Sequence, residues 1–136
     1  MPHLRFDLNF TPSAEDKTRF AATVAQHFGR VMNTGTEHVA VSLRCGAPED
    51  IVFARAADAA RVALLDFDVR RGRTAGQKRE LALAVIGELQ KAFAVAPSAV
   101  YLVYTEHDGA DFQMEDGVLP SWSAGEDPLA ELRKSR

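Results

Sequence analysis

Two β-α-β units in tandem, giving an α+β fold of one four-stranded sheet with two helices on one face, are what this sequence predicts. Three observations carry that reading: short stretches alternate apolar and polar residues, longer stretches repeat apolar residues at helical spacing, and the two halves superpose without a gap at an offset of 61. In chain order, residues 3–10 (HLRFDLNF) set Leu4, Phe6 and Leu8 on one face of a strand. Thr11 then reads as an N-cap with Pro12 at the first helical position, where its missing N–H costs nothing. Phe20, Val24, Phe28 and Val31 recur at helical spacing over 12–30. Asn33-Thr34-Gly35 stops that helix, and 38–44 alternates Val39, Val41 and Leu43 as a second strand.

The second half repeats the first. Residues 62–69 align Leu65, Phe67 and Val69, Gly72-Arg73-Thr74 turns the chain, a helix over 75–93 carries Leu81, Val85 and Leu89, and 99–105 forms a fourth strand. The offset pairs identical residues at Leu4/Leu65, Phe6/Phe67, Asp7/Asp68, Ala14/Ala75, Lys17/Lys78, Ala21/Ala82, Val24/Val85 and Val39/Val100. Any two amphipathic units share apolar positions; the polar matches Asp7/Asp68 and Lys17/Lys78 are what mark a duplication. The expected organisation is one domain over 1–122, with repeats at about 2–45 and 62–105. Ile51-Val52-Phe53 is a candidate short strand between them, 106–122 is turn-rich, and 123–136 is a charged tail. A sheet with helices on one side is expected to leave an apolar second face that needs cover.

The 136 residues carry 16 Lys+Arg against 19 Asp+Glu and are 46% hydrophobic, which suits one globular core and offers no basic footprint for nucleic acid. No apolar run approaches the roughly 18 residues of a membrane span. The lone Cys45 has no intramolecular partner, and Met1 to Asp7 lacks the pattern of a secretion signal, so a cytoplasmic location is expected. The histidines His3, His27, His38 and His107 show no metal-ligand spacing, and Asp108, Asp111, Glu115 and Asp116 lack the order of a calcium loop. Neither a metal nor an organic cofactor is expected.

Two features remain that bear on chemistry. Arg70-Arg71-Gly72-Arg73 lies at a strand-to-helix junction, and is either a solvated basic turn or a site for a carboxylate or phosphate. Pro2 follows Met1 directly, a small penultimate residue at which initiator methionine is commonly removed. Freed of Met1, Pro2 is a secondary amine at a strand start, whose ammonium form is disfavoured by burial and by nearby arginines. Such an amine serves as a general base, or as an acid beside a carboxylate.

An amino-terminal proline, a duplicated β-α-β and an arginine turn together resemble the tautomerase superfamily, over about residues 2–120. The stretch Gly72-Arg73-Thr74-Ala75-Gly76-Gln77-Lys78 matches a pattern general to several of its branches. Within it, the chain is most similar to the cis-3-chloroacrylic acid dehalogenase group, on Arg70 and Arg73 at R-x-G-R spacing, Tyr104, and Glu115 just before Gly117-Val118-Leu119-Pro120. The resemblance implies that Pro2 is catalytic, that Arg70 and Arg73 hold a substrate carboxylate, and that Tyr104 with Glu115 activates water. It also makes His27 the candidate for the group's first-helix histidine, across one gap. The macrophage migration inhibitory factor branch matches less well, with Val103 where it has asparagine; the malonate semialdehyde decarboxylase branch shares Phe6-Asp7-Leu8 but no counterpart of its aspartate is evident. The implied substrate is a small unsaturated or 2-oxo carboxylate, turned over by water addition with dehalogenation or by keto-enol tautomerisation, in a homotrimer with neither nucleic acid nor membrane as partner. A retained Met1 would instead imply a non-catalytic member that binds an anion or a partner.

Overall fold

A computed structural model describes residues 2–118. Its elements are β1 (His3–Leu8), α1 (Ala14–Met32), β2 (Ala40–Cys45), β3 (Ala63–Arg70), α2 (Ala75–Phe93) and β4 (Val100–His107), followed by a small hairpin of β5 (Gln113–Met114) and β6 (Gly117–Val118). The sheet order is β2-β1-β3-β4. Within each half the strands run parallel, as the right-handed crossover through a helix requires, and the halves meet through antiparallel β1 and β3. This is the α+β arrangement expected from the sequence.

The duplication is visible in three dimensions. Both helices have 19 residues, at the same offset of 61. Their stops coincide as well: Asn33 and Ala94, 61 apart, each end a helix in the left-handed region, at φ 51° and 56°. Across the β1–β3 seam Leu4 pairs with Phe67 and Phe6 with Leu65, so an approximate two-fold axis passes through the Arg5–Asp66 pair. One core serves both halves. Phe6 packs edge-on to Phe20 at 5.2 Å, and Phe20 reaches Phe93 at 4.8 Å. Buried Asn9 ties the halves with polar contacts, accepting from the Val62 N–H at 2.7 Å and donating to the Ala60 carbonyl at 3.1 Å.

Several boundaries differ from expectation for physical reasons. The cap of α1 is Ser13, not Thr11: the Ser13 side chain accepts from the Asp16 N–H at 3.1 Å, so Pro12 precedes the helix rather than opening it. Ile51-Val52-Phe53 forms no strand; a 3₁₀ turn at Pro48–Asp50 introduces it, and Val52 is 85% exposed. The turn-rich segment after β4 does form structure, the β5–β6 hairpin. The tail 123–136 lies outside the described residues.

The largest correction concerns the sheet face away from the helices. It is polar rather than apolar, because the alternation that buries Leu4, Phe6, Leu65 and Phe67 sends His3, Arg5, Asp66 and Asp68 to the other side. There Asp68 accepts from Arg5 at 2.6 Å and contacts His107 Nε2 at 2.8 Å, while His3 bonds Ser42 at 2.8 Å. Only Leu64, Tyr101 and Val103 keep an apolar strip on this face.

The Ala94 stop makes a testable point. An alanine held in the left-handed region is strained by its Cβ, where glycine is not. Ala94→Gly is expected to stabilise the fold by about 1 kcal/mol, read as a shift in urea midpoint at unchanged slope; an unchanged or lower midpoint would contradict this account of the helix stop.

Candidate active site

The antiparallel seam determines which ends meet. His3 pairs with Asp68, so continuing the register sets buried Pro2 opposite Val69, next to Arg70 at the end of β3. The Pro2 carbonyl accepts from the Ala40 N–H at 3.0 Å, which also fixes the start of β2 here. The same end of the sheet therefore receives the amino-terminal segment, the α1–β2 turn, the β3–α2 junction and the end of β4.

At that junction the chain buries two cations. Arg70 is 2% exposed and Arg73 is 7% exposed, so the basic turn is not a solvated one at these two positions. Arg71 between them points outward, pairing with Asp108 at 2.9 Å. Gly72, at φ 117°, supplies the backbone conformation that the turn needs. The Arg73 guanidinium lies over the Phe28 ring at 5.9 Å. Thr74 then caps α2 in a capping box with Gln77, and Gln77 also donates to the Val31 carbonyl of α1 at 3.3 Å. No acidic residue occupies the first turn of α2, in contrast to Glu15 and Asp16 in α1, so the positive helix end beside Arg73 is unopposed from within its own helix. Lys78, the last residue of the motif, is committed to an ion pair with Glu106.

Two residues that sequence reasoning passed over belong to this end. His38 lies in the turn before β2 and is electrostatically coupled to Arg70 on β3 and to Asp116 on the β5–β6 hairpin. Its pKa is lowered from the ordinary 6.5, chiefly by burial and next by the amino-terminal charge, with Asp116 and Glu37 opposing and Arg70 adding a smaller lowering. The turn packs closely on α1: a Cβ at Gly29 would stand 2.9 Å from the Thr36 side-chain methyl and 3.1 Å from the Thr34 carbonyl oxygen. A lone histidine and an aspartate 78 positions apart carry no sequence spacing to announce them.

The remaining sequence candidates lie elsewhere in the chain. Tyr104 is on the helix-facing side of β4, edge-on to Phe67 at 5.6 Å, and its hydroxyl donates to the Lys78 carbonyl at 2.8 Å. Burial pushes its pKa up, so it stays a hydroxyl donor. With Phe67 and the whole of β3 between Tyr104 and β1, one chain does not bring it to Pro2. Glu115 is exposed at the tip of the β5–β6 hairpin, whereas its neighbour Asp116 is half-buried. His27 sits on the seam between the helices, where Arg30 donates to Nδ1 at 3.0 Å. Nδ1 is thus an acceptor, the proton is on Nε2, and Nε2 donates to Glu88 at 3.1 Å. That is a helix-to-helix clamp, apart from Pro2 and Arg70. Among the described residues, no cluster of metal-ligating side chains occurs, and no helix is long and apolar enough to cross a membrane.

The shift on His38 has a definite sign. Because the folded state disfavours the charged ring, the contribution of neutral His38 to stability is fully present above its ordinary value of 6.5 and is lost as pH falls toward the folded value. Ring-proton NMR is expected to show His38 titrating below 6.5. A midpoint at or above that value would remove His38 from a buried cationic environment.

No family model matches the sequence, and no curated protein matches it. Solved structures do match. A fused 4-OT solved as a symmetric trimer is 21% identical, with a TM-score of 0.75 over 91% of this chain and 99% of that one. FG41 malonate semialdehyde decarboxylase inhibited by 3-bromopropiolate is 23% identical, with a TM-score of 0.70 over 82% and 87%. A macrophage migration inhibitory factor-like protein from Entamoeba histolytica is 16% identical, with a TM-score of 0.72 over 87% and 98%. The chain thus has the fold of the tautomerase superfamily.

Proposed function

We propose that this chain is an enzyme in which the Pro2 nitrogen, freed of Met1, moves a proton on a small 2-oxo or unsaturated carboxylate. One observation carries the reading: a buried amino-terminal proline and two buried arginines meet at one end of the sheet. A planar pair of guanidinium forks suits a carboxylate. With the carboxylate on Arg70 and Arg73, neutral Pro2 takes the proton from an enol hydroxyl and returns it to the adjacent carbon. The arginines stabilise the negative charge that develops between those two steps. Nothing is lost or gained overall, so the reaction is an isomerisation and needs no cofactor. Burial and the arginines keep the amine neutral, as a base must be.

Water addition to a cis-3-haloacrylate, with halide loss to malonate semialdehyde, is the second reading. It is favoured by the acidic hairpin, where Asp116 is within electrostatic reach of His38 and Glu115 is adjacent. It demands a cationic Pro2 to protonate the α-carbon and a carboxylate to activate water. Within one chain, the Tyr104 hydroxyl is bound to Lys78 and Glu115 faces outward. Proton transfer is therefore the better supported reaction.

The test is turnover of protein whose Met1 has been removed and verified by intact mass. Phenylenolpyruvate or 2-hydroxymuconate is expected to be ketonised, with cis-3-chloroacrylate releasing halide more slowly. Pro2→Ala should abolish proton transfer, and Arg73→Ala should lower kcat/KM about 10- to 100-fold, the range for a lost charged hydrogen bond. Equal rates for wild type and Pro2→Ala would overturn the mechanism. Covalent labelling of Pro2 by 3-bromopropiolate, the compound that inhibits the decarboxylase of the same fold, gives an independent readout.

We also propose a homotrimer, as the fused 4-OT is. The polar face with its exposed Tyr101 and Val103 strip is the surface that three copies would enclose. Sedimentation is expected to give three chain masses, and a single chain mass would exclude it.

A further inference from the structure

The ring of His38 has a feature that the arginine pair and Pro2 leave unused. Its Nδ1 is buried, yet has no hydrogen-bond partner among the described residues. A buried polar atom left in that condition is costly, and such atoms mark places where a bound group completes the bonding. The position is specific. His38 is two residues before Ala40, whose N–H holds the Pro2 carbonyl at 3.0 Å. The charged groups coupled to the ring are the amino terminus, Asp116 from the hairpin, Glu37 from its own turn and Arg70 from β3. Two elements distant in sequence, β3 and the hairpin, are thus electrostatically coupled to one ring at the Pro2 end of the sheet.

Resting on the reading of the site as a carboxylate-binding, proton-transferring one, we propose that His38 is a catalytic residue whose Nδ1–H donates a hydrogen bond to the 2-oxo oxygen of the bound substrate. The division of labour follows from charge. Arg70 and Arg73 hold the carboxylate, and the oxygen on the next carbon becomes the enolate while the proton is on Pro2. A neutral donor stabilises that oxygen without competing for the proton. A cationic ring would add a positive charge near Arg70 and the amino terminus, and burial with those two charges disfavours it. Donation from Nδ1 leaves Nε2 as the acceptor; Nε2 makes no hydrogen bond among the described residues. The substrate class is narrowed accordingly to acids with an oxygen on the carbon next to the carboxylate.

Side-chain isosteres test which nitrogen acts. An asparagine amide, attached at Cγ, stands where Nδ1 does; a glutamine amide, attached at Cδ, stands where Nε2 does. In Met-free protein with phenylenolpyruvate, His38→Ala and His38→Gln are expected to lower kcat about 10²- to 10³-fold, the usual effect of losing one donor to a developing oxyanion. His38→Asn is expected to recover most of that loss. Recovery by His38→Gln and not by His38→Asn, or full activity in His38→Ala, would overturn the assignment. A binding readout separates this inference from the reading beneath it. In ¹⁵N spectra of the histidine rings, phenylpyruvate is expected to shift His38 Nδ1, and malonate, which has no 2-oxo oxygen, to leave it in place. If phenylpyruvate binds, as judged by its loss in Arg73→Ala, but leaves Nδ1 unmoved, His38 is not the donor while the carboxylate site stands. If neither acid binds and no substrate turns over, the underlying reading fails.

Discussion

The antiparallel pairing of β1 with β3 is the constraint on which the rest of this structure depends. A β-α-β unit alone exposes one flank of its strands and cannot bury its helix on both sides. Joining two such units edge to edge through β1 and β3 closes a single core, with Phe20 and Phe93 from different helices in contact under it. The same pairing has a consequence unrelated to stability. It sets the start of the first repeat against the end of the first strand of the second, so a residue near the amino terminus lies beside a strand-to-helix junction some 70 positions later. The candidate site follows from that pairing, which joins the start of β1 to the end of β3.

Approximate two-fold symmetry also shows which differences matter. Helix lengths, stop positions and core residues are kept between the halves, because both must fill one core. The junctions into the helices are not kept. Ser13 caps α1 with acidic residues behind it, while α2 starts from Thr74 with two buried arginines ahead of it and no acid in its first turn. An anion is stabilised at only one of these two helix starts. Duplication supplied the scaffold twice, and divergence at one junction supplied the charge.

How much of this was legible in the sequence follows from the range of each interaction. Periodicity reports on burial along one element, and α2 lies over 75–93 as its spacing predicts. The ungapped offset located the two structural repeats because apolar and polar identities stand in the same register. The open sheet face was misjudged because helices on one side were taken to imply apolar cover on the other, although Arg5, Asp66 and Asp68 already stood at the alternate positions. Arg70 and Arg73 were readable, since the junction they occupy is local. His38 and Asp116 were not, because their proximity arises from the turn before β2 and a hairpin after β4 meeting at one end of the sheet. Tyr104, Glu115 and His27 came from a resemblance, and the chain places them in a wall, at a hairpin tip and in a helix clamp.

The proposed function divides the site between fixed charge and movable proton. Two guanidinium groups remain cationic at any working pH, and in that reading they hold the substrate carboxylate. His38 is held below its ordinary pKa by burial and the amino-terminal charge, with a smaller contribution from Arg70, even though Asp116 and Glu37 pull the other way. A free Pro2 nitrogen would face the same pressure. On the proposed reading the anion is bound through groups that never change charge, and the base is unprotonated where a proton has to be accepted. Hydration asks the opposite of the same amine, which must arrive as a cation next to those arginines. Under the proposed function, a buried cationic pair beside the amine favours, of the two reactions considered, the one that begins with a base.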